Sequence, residues 1–332
     1  MSDRIIRIGM ISFAHSHAVS YLRELLKTEG VQVAGIYDPD YSRVSAHVEQ
    51  FGIPYYDDHM SLLAESIDAV VICSENAWHG RFTADAARAG KHVLCEKPLG
   101  VSIEQMQEMI DVCRASGVQL MTAFPCRYLA SVIDAKAAVA RGEIGEILAI
   151  KGTNRGRMPG RWFVEPALSG GGAVLDHTVH VMDLMNWFLG AVPVEVYAEV
   201  DTLFNEGLGI DDAGMVHVKF SNGAIGILDP SWSRPNDYNR PGDVAMEIIG
   251  THGVISVDGF AQANEAYSIA TGKTTRSFWG DGMDGPLVRD FVRALRDGAN
   301  VPISGEDGLR SAAVAVAAYE SAKAGAPVKV RG

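Results

Sequence analysis

Through the first third of the chain, short runs of apolar residues alternate with longer amphipathic stretches. The runs RIIRIGMI (4–11), VQVAGIYD (31–38), DAVVICS (68–74), KHVLCEKP (91–98) and VQLMTAF (118–124) predict strands. Helices are predicted from about His15 to Lys27 and from about Tyr41, Arg81 and Ile103. Strands that are apolar nearly throughout, separated by helices, imply a parallel sheet covered on both faces. The expected first domain is therefore a doubly wound α/β unit over residues 1–124.

Past Phe124 the pattern changes. EILAIKGTNR (146–155), VEVYAEVDTL (194–203), DAGMVHVKF (212–220), AIGILDPSW (224–232), VAMEIIG (244–250) and VISVD (254–258) follow one another with few helices between, joined by turns such as SNGA. Alternation of this kind predicts a largely antiparallel open sheet in an α+β second domain, 125–332. PLVRDFVRALRDG (286–298) and GLRSAAVAVAAYESAKAG (308–325) close the chain as helices. The last of them, at about 307–324, is placed to pack back on the first domain.

The 332 residues, 47% hydrophobic, suffice for two cores. A formal charge of −12 argues against nucleic acid or an anionic membrane surface as the main partner, since either requires a basic footprint. The N-terminus has no long h-region or small-residue cleavage site, and no apolar run of about 18 residues follows. A cytoplasmic protein with a small-molecule partner is expected. Cys73, Cys95, Cys113 and Cys126 lack metal-ligand spacing and lie in or beside apolar segments, which favours buried reduced thiols over disulfides.

Between the first strand and first helix stands ISFAHSHA (11–18), where a dinucleotide-binding turn would carry three glycines. Those places hold Ser12, Ala14 and His17, so the motif fails by identity while its position is kept. Ser12 and Ala14 are small enough for close backbone approach, and a helix N-terminus offers unpaired N–H groups to phosphate. A strand ending in Asp38, 21 residues after His17, supplies an acid for ribose hydroxyls. With no carboxylate near in sequence, His15 and His17 read as cofactor or structural contacts, and no metal is expected.

Two further stretches carry chemistry. KHVLCEKP ends a parallel strand with Glu96, Lys97 and Pro98, and ligands of such sheets bind at the carboxyl ends of strands; the proline biases Lys97 towards an extended conformation there. SGGGAVLDHTVHVMDLMNWFLG (169–190) reads as a buried helix on which Asp176, His180 and Asp183 share one stripe, with His177 beside it. An Asp satisfying a His one turn on explains such a pair structurally, whereas Gly170 to Gly172 allow a ligand or another chain close approach.

EKP after a strand of the nucleotide domain, GGGAVLDHTVH downstream and a helix ending in WFLG resemble the glucose-fructose oxidoreductase, inositol dehydrogenase and rhizopine-catabolism (Gfo/Idh/MocA) family. SENAWH (74–79) and RGEIGEI (141–147) extend the resemblance over essentially the whole chain. It implies an NAD-dependent sugar or polyol dehydrogenase that transfers hydride between a secondary alcohol and the nicotinamide. The family's catalytic lysine falls on Lys97, and its aspartate and histidine on Asp176 and His180. His180 would accept the hydroxyl proton, Lys97 would stabilise the alkoxide, and Asp176 would fix a substrate hydroxyl or the imidazole. Cofactor contacts are expected from Ser12, Phe13, Ala14, His15, Asp38, Ser74, Glu75, Asn76, His79, Glu96 and Lys97. Asp38 opposes a 2′-phosphate and Arg43 lies several residues further on, so NAD is favoured over NADP.

Substrate contacts are expected from Arg127, Asn154, Arg155 and Trp162, together with Asp176 and His177. An aromatic face beside donors suits a sugar or cyclitol, and arginines would grip the carboxylate of a sugar acid. A homodimer or homotetramer is expected by the same resemblance. The rival readings are an NAD-retaining lyase or hydrolase, a sugar sensor without catalysis, and a metal-dependent sugar isomerase.

Overall fold

The computed structural model describes residues 4–238, 242–279 and 282–332. In the N-terminal half, β1 (Ile6–Ile11), α1 (His17–Lys27), β2 (Val31–Tyr37), α2 (Ser45–Phe51), β3 (Tyr55–Tyr56), α3 (His59–Leu63), β4 (Ala69–Ile72), α4 (His79–Arg88), β5 (His92–Cys95), α5 (Ile103–Ala115) and β6 (Leu120–Thr122) alternate. The six strands form one parallel sheet in the order β3-β2-β1-β4-β5-β6. The order reverses between β1 and β4, and a crevice opens at such a point beyond the carboxyl ends of the strands. Every residue of β4 and β6 is buried, as the continuous apolar runs require.

Helix boundaries refine the expectations. α1 begins at His17 rather than His15 and buries Ala18, Tyr21, Leu22 and Leu25 on one stripe. The helix expected from Tyr41 is a 3₁₀ turn over Tyr41–Arg43 followed by α2. α4 starts at His79, two residues before Arg81. β3 and α3 were not foreseen, being too short to show a period.

The chain then forms α6 (Ala130–Ala140), β7 (Ile147–Thr153), α7 (Pro166–Ser169), α8 (Ala173–Leu189), β8 (Pro193–Asp201), β9 (Ala213–Phe220), β10 (Ile225–Asp229), β11 (Ala245–Gly250), β12 (Val254–Asp258), β13 (Ala263–Ser268), β14 (Lys273–Phe278), α9 (Asp284–Asp297), α10 (Gly305–Ala324) and β15 (Val328–Lys329). Seven strands make an open sheet in the order β12-β11-β7-β10-β9-β8-β15, antiparallel except where β10 runs parallel to β7. β13 and β14 form a separate hairpin. α6, that hairpin and β15 had no expectation in the sequence.

Among the described residues two hydrophobic cores result, one around the parallel sheet and one between α8 and the open sheet. α9 follows the second-domain strands in sequence, yet Leu287, Val288, Phe291 and Val292 bury themselves in the first core. α10 serves both: Leu309 and Ala312 join the first core, and Val314, Ala315, Ala317 and Ala318 the second. A capping box of Ser304 and Asp307 starts it. α10 packs along α8 and touches α5 and β6, while α9 packs on α1 and β1, so the two helices join the two cores.

Candidate active site

Lys97 follows β5 and reaches across to α8, where its Nζ lies 2.6 Å from Asp176 Oδ1 and 3.4 Å from the Asp176 carbonyl. Both side chains are buried, at 5% and 8% exposure. Burial alone would raise the Asp176 carboxyl and lower the Lys97 ammonium; each charge overrides this for the other, so the carboxyl sits far below its ordinary range and the ammonium above. Trp232 Nε1–H donates to Asp176 Oδ2 at 3.3 Å, and His177 Nε2 lies 3.3 Å from the same oxygen.

Asp176 was expected to fix a substrate hydroxyl or to orient the His180 imidazole; its carboxylate meets Lys97, Trp232 and His177 and not His180. His180 Nδ1 instead faces the thiol of Cys126 at 3.6 Å. Burial and then Lys97 hold His180 well below its ordinary value, so the ring is neutral. Asp183, the third member of the stripe, pairs with Arg127 through two bonds of 2.7 and 2.5 Å; burial pushes its carboxyl up to about 6 against the pull of that arginine.

The start of α8 explains the glycine run. Asp211, from the loop before β9, accepts from Gly172 N–H at 2.9 Å and Val174 N–H at 2.8 Å, and Tyr319 of α10 donates to the same carboxylate at 2.9 Å. A Cβ on Gly172 would lie 2.0 Å from the Asp211 carbonyl. The close approach that the glycines permit is thus used by a cap contributed by a distant loop.

At the opening turn, Ser12 takes φ 65°, in the left-handed region usually left to glycine, so the bend of a dinucleotide loop persists without one. α1 has no acidic residue in its first turn, so the field of its terminus favours an anion, although its His17 and Ala18 N–H groups already donate to His15. The turn fits a dinucleotide pyrophosphate. Asp38 is fully buried rather than open to ribose: its oxygens accept from Phe13 N–H at 2.6 Å, Ser12 Oγ–H at 3.2 Å and Asp40 N–H at 2.8 Å. Its carboxylate first holds the turn. Arg43, in the 3₁₀ turn just after Asp38 and Asp40, lies 3.7 Å from each of them and 3.3 Å from Glu75, which comes from beyond β4.

The two histidines of the turn do have a carboxylate beside them. Glu96 Oε1 lies 2.8 Å from His17 Nδ1 and 3.9 Å from His15 Nδ1, a grouping of metal-ligand type. Protein donors already occupy it: Tyr21 O–H and Lys97 N–H donate to Glu96, and His17 N–H donates to His15 Nδ1. Burial drops His15 to about 3, so it is neutral. Glu96 therefore ties α1 to the Lys97 loop.

Other residues expected to contact cofactor or substrate have partners within the protein. His79 is fully buried, its ring nitrogens 2.9 and 3.2 Å from the carbonyls of Pro98 and Ser74. Ser74 Oγ–H donates to the Glu75 carbonyl, and Asn76 Nδ2–H to the Ser169 carbonyl at 2.9 Å. Arg127 is committed to Asp183 and Arg155 to Asp243, so neither is a free substrate grip. Asn154 is buried, donating to the Asp243 carbonyl and leaving Oδ1 unpaired. Trp162 lies in a 3₁₀ turn, Arg161–Val164, and donates to the Ala14 carbonyl at 3.1 Å. It stacks on Phe163, which meets the edge of His15, so the second domain closes on the cofactor turn. Cys126, Asp211, Tyr319 and Trp232 escaped sequence reasoning because their partners are distant in the chain.

A parallel sheet with a phosphate-compatible turn at its switch point, and a buried Lys–Asp pair beside a neutral histidine, define a dinucleotide-dependent oxidoreductase. Residues 5–124 match the oxidoreductase family with an NAD-binding Rossmann fold, and residues 132–256 match the GFO/IDH/MocA C-terminal domain. The chain belongs to the Gfo/Idh/MocA family. It is 29% identical to the uncharacterized oxidoreductase YrbE of Bacillus subtilis, over 98% of this chain and 95% of that protein. It is 27% identical to myo-inositol 2-dehydrogenase of Thermotoga maritima, over 98% of each. The crystal structure of myo-inositol 2-dehydrogenase from Lactobacillus plantarum superposes with a TM-score of 0.87 at 25% identity, covering 99% of this chain and all of that one. Among the described residues no helix is long and apolar enough to cross a membrane.

Proposed function

We propose that the protein oxidises a secondary alcohol of an uncharged sugar or cyclitol, or carries out the reverse reduction, with NAD as the cofactor. The observation that carries this reading is the buried Lys97–Asp176 pair, one helical turn from neutral His180, at the end of β5. Bound NAD supplies the hydride acceptor. Lys97, held by Asp176, donates to the reacting oxygen and stabilises its developing negative charge, which a buried ammonium does far better than water. His180, kept neutral by burial, takes the hydroxyl proton on Nε2. Asp176 and Trp232 keep Lys97 in place, and Trp162 with Phe163 shields the turn from water.

Arg127 and Arg155 already hold carboxylates, which favours a neutral polyol over a sugar acid. NAD is favoured over NADP because three carboxylates, Asp38, Asp40 and Glu75, surround the one guanidinium of Arg43 and oppose a 2′-phosphate. Tyr197, Met215, Ile225, Ile227 and Val254 are exposed on the outer face of the open sheet, which supports a homodimer or homotetramer built on that face.

The test is a panel of sugars, sugar acids and cyclitols with NAD and with NADP, followed at the nicotinamide absorbance. Turnover of a neutral polyol with NAD is expected. Product formation with retained cofactor and no net NADH overturns it in favour of the NAD-retaining lyase or hydrolase, and sugar binding without turnover in favour of a sensor.

A further inference from the structure

His180 stands one turn beyond Asp176 on α8, and the thiol of Cys126 is the side chain its Nδ1 faces. Cys126 lies in the 3₁₀ turn Pro125–Tyr128 that leaves β6, so the contact joins the end of the nucleotide-domain sheet to the buried helix. Burial pushes the thiol up to about 12, and at neutral pH it is S–H rather than thiolate. The charged or titratable groups acting on His180 are Lys97, His177, Asp176 and His17. The Phe124 ring lies in a T-shaped arrangement to the His180 ring, with ring centroids 6.5 Å apart.

A neutral imidazole carries a single ring proton, and the partner of one nitrogen decides the state of the other. A carboxylate facing Nδ1 would fix the proton there but also raise the basicity of the ring, favouring an imidazolium that cannot accept a further proton. A thiol is a weak acceptor and a weak donor. It can hold an N–H without drawing the ring into its charged form. Among the charges that act on His180 that of Lys97 is foremost, and a cation favours a ring whose free lone pair, rather than its N–H, is turned towards the reacting oxygen that Lys97 serves.

We propose that Cys126 is a positioning residue for the proton acceptor: its sulfur accepts the Nδ1–H of His180 and leaves the Nε2 lone pair for the substrate hydroxyl. In the step itself the substrate O–H bond breaks as Nε2–H forms. The C–H bond of the carbon bearing that oxygen breaks as its hydride passes to the NAD that the reaction requires, C=O forms, and the second ring proton stays on Nδ1, donating to sulfur. The proposal rests on His180 being the acceptor in the reaction proposed above.

The tautomer can be read without any substrate. Long-range proton–nitrogen spectra of histidine-labelled protein, with His180→Asn to assign the signal, should show Nδ1 protonated and Nε2 bare. Cys126→Ser should keep that state, because a hydroxyl also accepts, whereas Cys126→Ala should give a mixture of tautomers. In turnover, Cys126→Ala should lower kcat about tenfold with KM nearly unchanged, as for a general base partly in the wrong tautomer. Cys126→Asp should move the acidic limb of the kcat profile upward by at least about one pH unit, a fixed charge beside the ring favouring the imidazolium. Should the wild type carry its proton on Nε2, or Cys126→Ala leave tautomer and kcat as they were, the assignment fails. If no substrate is oxidised, the spectra still decide the tautomer and only the reaction assignment is lost; if Cys126→Ala does not fold, the wild-type and Cys126→Ser spectra decide it.

Discussion

Replacing Asp176 with Asn tests the centre of the site, because it removes one charge of a buried pair while keeping the shape of the side chain. In the wild type Lys97 Nζ donates to Asp176 Oδ1 at 2.6 Å, and Asp176 Oδ2 accepts from Trp232. Asn can still accept from Lys97, but its NH₂ then meets the Trp232 N–H, donor against donor. The Lys97 ammonium, at 5% exposure, is left without its nearest counter-charge. Removing one partner of a buried pair costs about 3–5 kcal/mol, because the other stays desolvated and uncompensated. At about 2.1 cal/mol/K of unfolding entropy per residue, the 332-residue chain shifts by roughly 1.4 °C per kcal/mol, so the melting midpoint should fall by about 4–7 °C at pH 7. The same carboxyl lies below its unfolded value in the folded protein, so its contribution is present above the unfolded pKa and drains away as pH falls towards the folded one. The gap between wild type and Asp176→Asn should therefore narrow in acid. Adding Lys97→Met should restore most of the loss at pH 7, since no uncompensated charge remains. Calorimetry of the four proteins of this cycle from pH 3 to 8 makes the measurement. An Asp176→Asn midpoint within about 2 °C of wild type at pH 7, with no recovery in the double variant, would refute the reasoning.

Lys97→Met alone should abolish turnover while NAD binding, measured by calorimetric titration, stays within a few-fold; near-normal turnover would remove Lys97 from the chemistry. His180→Asn should cut oxidation by about 10²- to 10⁴-fold at unchanged fold, and His177→Asn by less, because His177 touches Asp176 rather than the reacting oxygen; the reverse ranking at equal stability would mean the wrong histidine had been assigned. Asp38→Ser should narrow the preference for NAD over NADP and also weaken NAD binding, since Ser12 and Phe13 lose the carboxylate that holds their turn; tighter binding of NADP than NAD by the wild type would contradict the reading of the Asp38, Asp40 and Glu75 cluster.

The doubly wound sheet and the open second sheet were legible in the chain because burial on both faces leaves continuous apolar runs and burial on one face leaves alternation. Lys97 and Asp176 were legible for a related reason: charges at the end of a buried strand and on a buried helix demand a partner or a task. Which partner each one takes was not written there. The helical spacing of Asp176, His180 and Asp183 puts them on one stripe, yet three residues from two other elements answer them: Lys97 from the end of β5, and Cys126 and Arg127 from the turn after β6. The capping of α8 by Asp211, the saturation of Glu96 by Tyr21 and His17, and the closure of Trp162 on Ala14 likewise join residues tens to more than a hundred positions apart. Periodicity reports which face of an element leaves water, since that depends on neighbours three, four or two positions away. Pairing across elements depends on where packing brings distant segments, and only the folded chain decides it.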